Sequence, residues 1–348
     1  MKQFLLSIWF FFLGYALVAQ VPVGYYDAAA GLKGDALKTA LYNIIKGQKS
    51  YPYTSSSSTD VWDILKETDR DTANPENVIL IYSGRSVNAA REYNHGNGWS
   101  REHVWAKSRG DFGTEPPAGT DVNNIRPADI SVNSTRSNRW FDTCSVAVID
   151  NGIPTGSYKS NTRWVWQPRK EVEGDVARMI FYMATRYEGD NGEPDLKVVN
   201  YIPADKRTKA PVFAKLSTLL KWNTRDPVDN FERHRNEVIY SYQHNRNPFI
   251  DHPEYAQLIW GTSVISGIIS HTQRTFVAYP NPVVSILHFS GSEQDVKYLY
   301  SMQGVLLKST VSQQMPVNDL PAGLYFLVFK DKNTGKTLGH LKVVKAIR

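Results

Sequence analysis

The sequence contains a single cysteine and no long apolar run, so it has few residues for disulfides and no segment long enough for a transmembrane helix. Cys144 alone cannot form an internal disulfide, so packing and any bound metal must stabilise the fold, and a bridge between two chains stays open. No internal repeat is present. With 41% hydrophobic and 21% charged residues, the chain has the composition of a soluble globular protein.

The first twenty residues predict a secretory signal peptide. Lys2 gives a positive start, an apolar run extends from Phe4 to Leu13, and small residues surround a cleavage position near Ala19. The run is too short for a membrane span and no positively charged flank follows it. We therefore expect residues 1–20 to be removed, export through the periplasm, and a mature protein without a transmembrane span.

The remaining length predicts two domains, at roughly 150 residues per domain. Apolar periodicity predicts helices over residues 31–48, 127–141 and 171–187 and a buried strand over residues 77–84. From about residue 274, short strand-like runs alternate with turn residues. The expected fold class is α+β, with a mixed, mostly helical domain over 21–262, a linker over 263–273, and a small all-β sandwich over 274–348.

A net charge of +6 and a pI near 9.1 make a polyanion a natural partner. Many exported proteins are basic for other reasons, so charge alone leaves this partner open.

The stretch "GWSREHVWAKS", residues 98 to 108, places Glu102 beside His103. A carboxylate can hold a metal ion, and a neutral imidazole can take a proton from water. Adjacent side chains of a regular strand point to opposite faces, so the pair can share a substrate only at a strand end, bulge or turn. We predict such a break between residues 100 and 106. The alternative is a polar pair at the mouth of a core.

A second metal ligand is available in "VNSTRSN", residues 132 to 138. Asn133 shares a helical face with Arg136 and Ser137, so an amide oxygen and a guanidinium can look into one cleft, where Arg136 would meet a phosphate. Mg²⁺ needs few protein oxygens because it keeps several waters. The alternative is that Asn133 is only a structural residue of this helix, for which Asp129 or Ser131 is the expected N-cap.

These residues, with "GLKGDALKTALYNIIKG", "DVNNIRPADISVNSTRSN", "GDVARMIFYMATRY" and "NRNPFIDHPE", resemble the secreted bacterial endonuclease I family. The resemblance covers about residues 25 to 260 and implies the ββα-metal fold and sequence-nonspecific cleavage of DNA, and often RNA, with Mg²⁺, leaving 5′-phosphate ends. Mn²⁺ or Ca²⁺ are substitutes. It implies Glu102 and Asn133 as metal ligands and His103 as general base. We also expect Arg136 and Asn124 to be catalytic residues.

The chain departs from the family pattern on the second strand. Many relatives have Asp-x-His-Asn-Leu there, whereas in this chain Asn123 replaces the histidine before Asn124. Some relatives use an arginine of the loop between the strands, and the candidate in this loop is Arg109.

The end of the chain resembles the C-terminal sorting domain of the type IX secretion system. The matching residues are "YPNP" (279 to 282), "SMQG" (301 to 304) and "DLPAGLYFLVF" (319 to 329). The resemblance implies the type IX machinery as a partner and a secreted or cell-surface protein. A plain β-sandwich binding module is the alternative.

Three histidines and several cations lie outside the predicted site. His234, His244 and His252 show no zinc-ligand spacing, so we interpret them as structural or nucleic-acid-contacting. A basic, aromatic-lined groove is the other interpretation of this region, built from Arg225, Arg233, Arg235, Arg246, Tyr240 and Tyr242. The sequence favours a monomeric nuclease. The rival is a noncatalytic surface protein that binds nucleic acid or glycan on a degenerate nuclease fold.

Overall fold

The structure is a computed structural model that describes residues 21–261, 276–290, 295–302, 304–332, 335 and 337–346. These residues form two compact units, one before residue 262 and one after residue 275. The predicted signal peptide, 1–20, and the predicted linker, 263–273, lie outside the described residues.

The first unit is mixed α+β, as predicted. Its described α-helices are α1 (Gly34–Ile45), α2 (Val61–Thr68), α3 (Ile130–Arg136), α4 (Glu173–Arg186), α5 (Leu216–Arg225), α6 (Asn230–Gln243), α7 (Pro248–Asp251) and α8 (Glu254–Ala256). Its described strands are β1 (Asn77–Ile79), β2 (Ser86–Asn88), β3 (Trp99–His103), β4 (Ile125–Asp129), β5 (Trp140–Phe141), β6 (Val146–Asp150), β7 (Ile153–Ser160), β8 (Val165–Gln167), β9 (Lys197–Val199) and β10 (Val212–Lys215).

The strands form several small sheets. β1 pairs with β2 and β3 with β4, both antiparallel, and β9 pairs with β10 in parallel. The largest described sheet of this unit has the order β5-β8-β7-β6. Helix α4 lies at the centre, with all fourteen of its residues buried. The apolar face predicted for residues 171–187 is therefore right, but the helix has no solvent face because its charged residues are paired inside the protein.

The helix predicted over 127–141 is shorter than expected. Pro127 and Ala128 belong to β4, the helix begins at Ile130, and it ends at Arg136. Asp129 is at the N-cap position, yet its carboxylate accepts from Ser83 Oγ and Arg85 Nη1 and caps no backbone N–H. The consequence is that β4 leads directly into α3.

The second unit is all-β, as predicted. Its described strands are β11 (Val277–Tyr279), β12 (Ile286–Ser290), β13 (Asp295–Ser301), β14 (Leu306–Thr310), β15 (Gln314–Pro316), β16 (Gly323–Asp331) and β17 (Thr337–Lys345). They make two sheets, β11-β12-β15 and β14-β13-β16-β17. Side chains from both sheets share one core, which includes Leu287, Phe289, Leu299, Leu327 and Phe329. Across all described residues, no helix is both long and apolar enough to cross a bilayer.

Candidate active site

The predicted site lies on a strand-strand-helix unit made of β3, β4 and α3. In the antiparallel ladder, Glu102 is opposite Arg126 and His103 is opposite Ile125. His103 is the last residue of β3, so the predicted break falls at a strand end. The loop after this end returns to β4, and its base is closed by the Val104 N–H, which donates to the Asn124 carbonyl at 2.9 Å.

Buried ion pairs hold β4 from behind. Arg126, 1% exposed, pairs with Asp69 at the end of α2 and with Asp175 of α4 at 3.1 Å. Arg235 of α6 also pairs with Asp69 and donates to the carbonyls of Val122 and Ile125. Since each buried charge has an opposite partner, the strand is tied to three helices without an uncompensated charge. The hairpin is thus a rigid platform for the residues at its tip.

A cleft of about 340 Å³ opens over this platform. It is lined by Tyr53, Arg101, Glu102, His103, Ala106, Lys107, Ser108, Asn133, Arg136, Ser137 and Asn138. The two predicted metal ligands, the predicted base and Arg136 therefore meet in one place, as helical spacing and the strand end implied.

Glu102 is almost entirely buried, with one oxygen occupied. Its Oε1 accepts from the Tyr82 hydroxyl at 2.8 Å and lies 3.0 Å from Arg136 Nη1. No hydrogen bond from the described residues reaches Oε2. Burial raises the pKa of Glu102, while Arg136 and Tyr82 oppose the rise. A cation at Oε2 would stabilise the ionised carboxylate.

His103 is held by a main-chain acceptor. Its Nε2 lies 2.9 Å from the Gly119 carbonyl, and because a carbonyl only accepts, Nε2 carries the proton and Nδ1 is the basic nitrogen. Burial lowers the pKa of His103 to about 4, so the ring is neutral near pH 7. The Tyr53 ring stacks on the imidazole at 5.7 Å between centroids.

Asn133 presents its amide to the cleft with a defined orientation. Its Nδ2 donates to Ser100 Oγ at 3.0 Å, which leaves Oδ1 without a partner among the described residues. An amide whose nitrogen is anchored offers its oxygen to a hard cation. Asn133 Oδ1 and Glu102 Oε2 are thus two free oxygens in the same cleft.

Arg136 is buried, 1% exposed, and both of its terminal nitrogens already donate, whereas its buried Nε has no hydrogen-bond partner. Besides Glu102, it donates to the carbonyls of His103 at 3.3 Å, Ser137 at 3.0 Å and Val104. These contacts fix the chain on both sides of His103. They favour a positioning role, and the predicted phosphate contact of Arg136 stays a prediction.

Asn124 does not line the cleft. It is fully buried and outside the cleft, and its amide binds the main chain of Trp105 twice, through Oδ1 at 2.7 Å and Nδ2 at 3.2 Å. These contacts hold the segment after His103 in place, and the predicted catalytic role of Asn124 stays a prediction. Asn123 is 3% exposed, and its Nδ2 has no hydrogen-bond partner.

Other candidate cations are committed elsewhere. Arg109 is buried and donates to the carbonyls of Asn138, Lys206 and Thr208. Arg235 and Arg246 are buried in ion pairs, so the interpretation of a basic groove containing them is wrong. Within the described residues, no cluster of three metal-ligating His, Cys, Asp or Glu side chains occurs.

Three contributors were missed in the sequence. The sequence assigns Tyr82 only to a buried strand, and it gives Tyr53 and Gly119 no role. Their contacts to Glu102 and His103 span 16 to 50 positions of sequence. No local pattern signals such long-range contacts.

Comparison with known proteins assigns the two units to two families. Residues 33–254 match the endonuclease I family, and residues 277–344 match the secretion system C-terminal sorting domain. The first match covers more than half of the sequence, so the chain belongs to the endonuclease I family and is a nuclease of that family. The sorting-domain match indicates a secreted or cell-surface protein.

Individual relatives cover most of the first unit. An extracellular ribonuclease of Bacillus subtilis (strain 168) is 51% identical over 241 residues, which is 68% of this chain and 78% of the relative. An extracellular ribonuclease of Bacillus amyloliquefaciens is 51% identical over 239 residues, with the same coverage. An endonuclease-1 of Buchnera aphidicola subsp. Baizongia pistaciae (strain Bp) is 24% identical over 132 residues, 38% of this chain and 46% of the relative.

Proposed function

We propose that this protein is an exported, Mg²⁺-dependent, sequence-nonspecific endonuclease that hydrolyses DNA and RNA and leaves 5′-phosphate ends. One observation carries the proposal. The neutral imidazole of His103 lines the same cleft as Glu102 and Asn133, and each of these two residues has an oxygen, Oε2 and Oδ1, without a hydrogen-bond partner among the described residues. The basic net charge of +6 suits a polyanionic substrate. The names of the two Bacillus relatives favour RNA as one substrate.

His103 acts as the general base in this proposal. Its Nδ1 takes a proton from the attacking water, and the Gly119 carbonyl stabilises the ring by accepting from Nε2–H. The Tyr53 ring covers one side of the imidazole and limits its contact with bulk solvent. Arg136 holds the main chain at His103 and Val104, so the base keeps its position during the reaction.

The residues present suit a hard divalent cation. One carboxylate oxygen and one amide oxygen are free, and both are of the type that Mg²⁺ prefers. Glu102 and Asn133 would hold the ion, and Mn²⁺ or Ca²⁺ would bind the same atoms. A bound ion supplies positive charge for the phosphoryl oxygens and the departing 3′ oxygen.

Export by the type IX secretion machinery, after passage through the periplasm, is part of the proposal. It is supported by the sorting-domain match at residues 277–344. We also propose that the protein acts as a monomer.

The function is tested with purified protein, supercoiled plasmid and labelled single-stranded RNA. We expect nicking and RNA cleavage with Mg²⁺, none with a chelator, and product ends that ligase joins without prior phosphorylation. Absence of cleavage with Mg²⁺, Mn²⁺ and Ca²⁺ would exclude the enzyme. The alternative would then be a noncatalytic protein that binds nucleic acid or glycan. Asn123 motivates this alternative, because it replaces the family histidine and its amide nitrogen has no hydrogen-bond partner.

Tyr82→Phe tests how Glu102 is positioned for the ion. The change removes the hydroxyl bonded to Oε1 and keeps the ring, which packs edge-on against Trp166 at 5.2 Å. Loss of a hydrogen bond that orients a metal ligand costs about 10- to 100-fold in metal affinity. Calorimetric Mg²⁺ titration should show a weakening in that range.

The matched control is Tyr187→Phe. This buried tyrosine also donates to a carboxylate, Asp121 at 2.8 Å, but it does not line the cleft. It should lower stability comparably and leave the Mg²⁺ titration unchanged. Equal titrations for both variants would show that Tyr82 has no role at the metal ligand.

A further inference from the structure

Positive charge in the cleft comes from three side chains, other than His103, among the described residues. Arg101, Lys107 and Arg136 all line it. Phosphodiester hydrolysis builds negative charge on the non-bridging oxygens, so a cation free to contact them would stabilise the transition state. Such a cation needs a donor that is exposed and has no hydrogen-bond partner within the protein.

The terminal nitrogens of both arginines are occupied, and the one unpartnered donor of Arg136, its Nε, is buried. Arg136 donates to Glu102 and to three main-chain carbonyls. Arg101 donates to the Tyr53 carbonyl and to Thr54 Oγ1, and its guanidinium lies 3.4 Å from the Tyr53 ring centroid and 4.1 Å from that of Trp62. Burial lowers the pKa of Arg101, which agrees with a guanidinium enclosed by protein groups. Neither side chain can turn to a phosphate without breaking several contacts.

Lys107 is different in each respect. Its side chain is exposed, and no hydrogen bond or ion pair joins its ammonium to any described residue. Its charge acts on the site nonetheless, because it is among the groups that lower the pKa of His103. The main chain around it is fixed, since Asn124 clamps Trp105 and the Lys107 carbonyl accepts from the Phe112 N–H at 3.2 Å.

We infer that Lys107 is the phosphate-contacting cation of this nuclease and donates to a non-bridging oxygen of the scissile phosphodiester. The inference rests on the proposed function. Arg109 does not bind the phosphate in this inference, because it is buried and its guanidinium donates to main-chain carbonyls. A fixed main chain with a free, flexible side chain lets one ammonium follow the phosphate from ground state to transition state.

The first test measures binding without cleavage. Affinity of the full chain for a short labelled DNA duplex is followed against salt in the presence of a chelator. Loss of one phosphate contact reduces the slope of log K against log salt by about 0.9. Lys107→Ala should show this reduction and Lys107→Arg should not. The matched control is Lys170→Ala, at an exposed lysine outside the cleft, which should keep the wild-type slope.

The second test measures cleavage with Mg²⁺. Lys107→Ala should lower kcat about 100-fold, in the range found when one transition-state donor is removed, with an unchanged Mg²⁺ titration. An unchanged slope for Lys107→Ala overturns the inference, even if wild type cuts normally. If wild type binds but does not cut, and Lys107→Ala still shows the reduced salt slope, the proposed function is overturned and the phosphate contact of Lys107 is kept. A wild type that neither binds nor cuts overturns both.

Discussion

His103→Ala should lower the cleavage rate by about 10²- to 10⁴-fold, the usual contribution of a positioned general base. The variant lacks Nδ1, the basic nitrogen left free by the bond between Nε2 and the Gly119 carbonyl. Since Glu102 and Asn133 are untouched, Mg²⁺ binding should persist. Single-turnover plasmid nicking gives the rate, and calorimetry gives the affinity for the ion.

The control for this change is His234→Ala. His234 is exposed, and its closest polar contact is the Glu67 carbonyl at 3.4 Å. Its removal should leave both measurements as in wild type. The role of His103 as base would be refuted if His103→Ala cut at nearly the wild-type rate. If His103→Ala lost affinity for Mg²⁺, and its cleavage rate fell only as far as the reduced Mg²⁺ occupancy explains, His103 would be a metal ligand instead.

Glu102→Gln should abolish Mg²⁺ binding and, with it, most cleavage. The substitution keeps the shape of the side chain and an acceptor for Tyr82, but it removes the negative charge between Arg136 and the proposed ion. Arg136 then stays buried without a carboxylate, at a cost of about 1–3 kcal/mol of folding free energy. Calorimetric Mg²⁺ titration and urea unfolding separate the two effects.

Glu232→Gln provides the comparison. Glu232 is buried, pairs with Arg178 of α4 and does not line the cleft, so its substitution disturbs a buried arginine–carboxylate contact without touching the proposed metal ligands. It should destabilise the protein and leave the Mg²⁺ titration intact. If Glu102→Gln bound Mg²⁺ as well as Glu232→Gln does, Glu102 would not be a ligand.

The sequence predicted the meeting of Glu102, His103 and Asn133 because two short-range rules were sufficient. A strand end lets neighbouring side chains converge, and residues three or four apart share a helix face. The burial of Arg136 follows from neither rule. An arginine on that face reaches a phosphate or the protein interior depending on which carbonyls surround it, and those carbonyls belong to His103, Val104 and Ser137.

Other elements depended on packing between distant parts of the chain. The period of residues 171–187 indicates one apolar face, but α4 is buried on all sides because Asp175 and Arg178 find partners on other elements. Likewise, the hydroxyl of Tyr82 finds Glu102 only through the fold. An apolar run predicts that a segment is buried and says nothing about which polar group the buried tip will contact.

The bond from His103 to Gly119 has a consequence for how the enzyme tolerates change. The acceptor is a main-chain carbonyl, so substitution of a neighbouring side chain does not by itself remove it, and the tautomer of the base does not depend on the identity of those side chains. The exception is position 119, where an added Cβ would meet the backbone of Thr114 at 2.5 Å and of Glu115 at 2.6 Å. Side chains elsewhere in this loop can therefore be substituted without removing the acceptor that keeps the imidazole proton on Nε2.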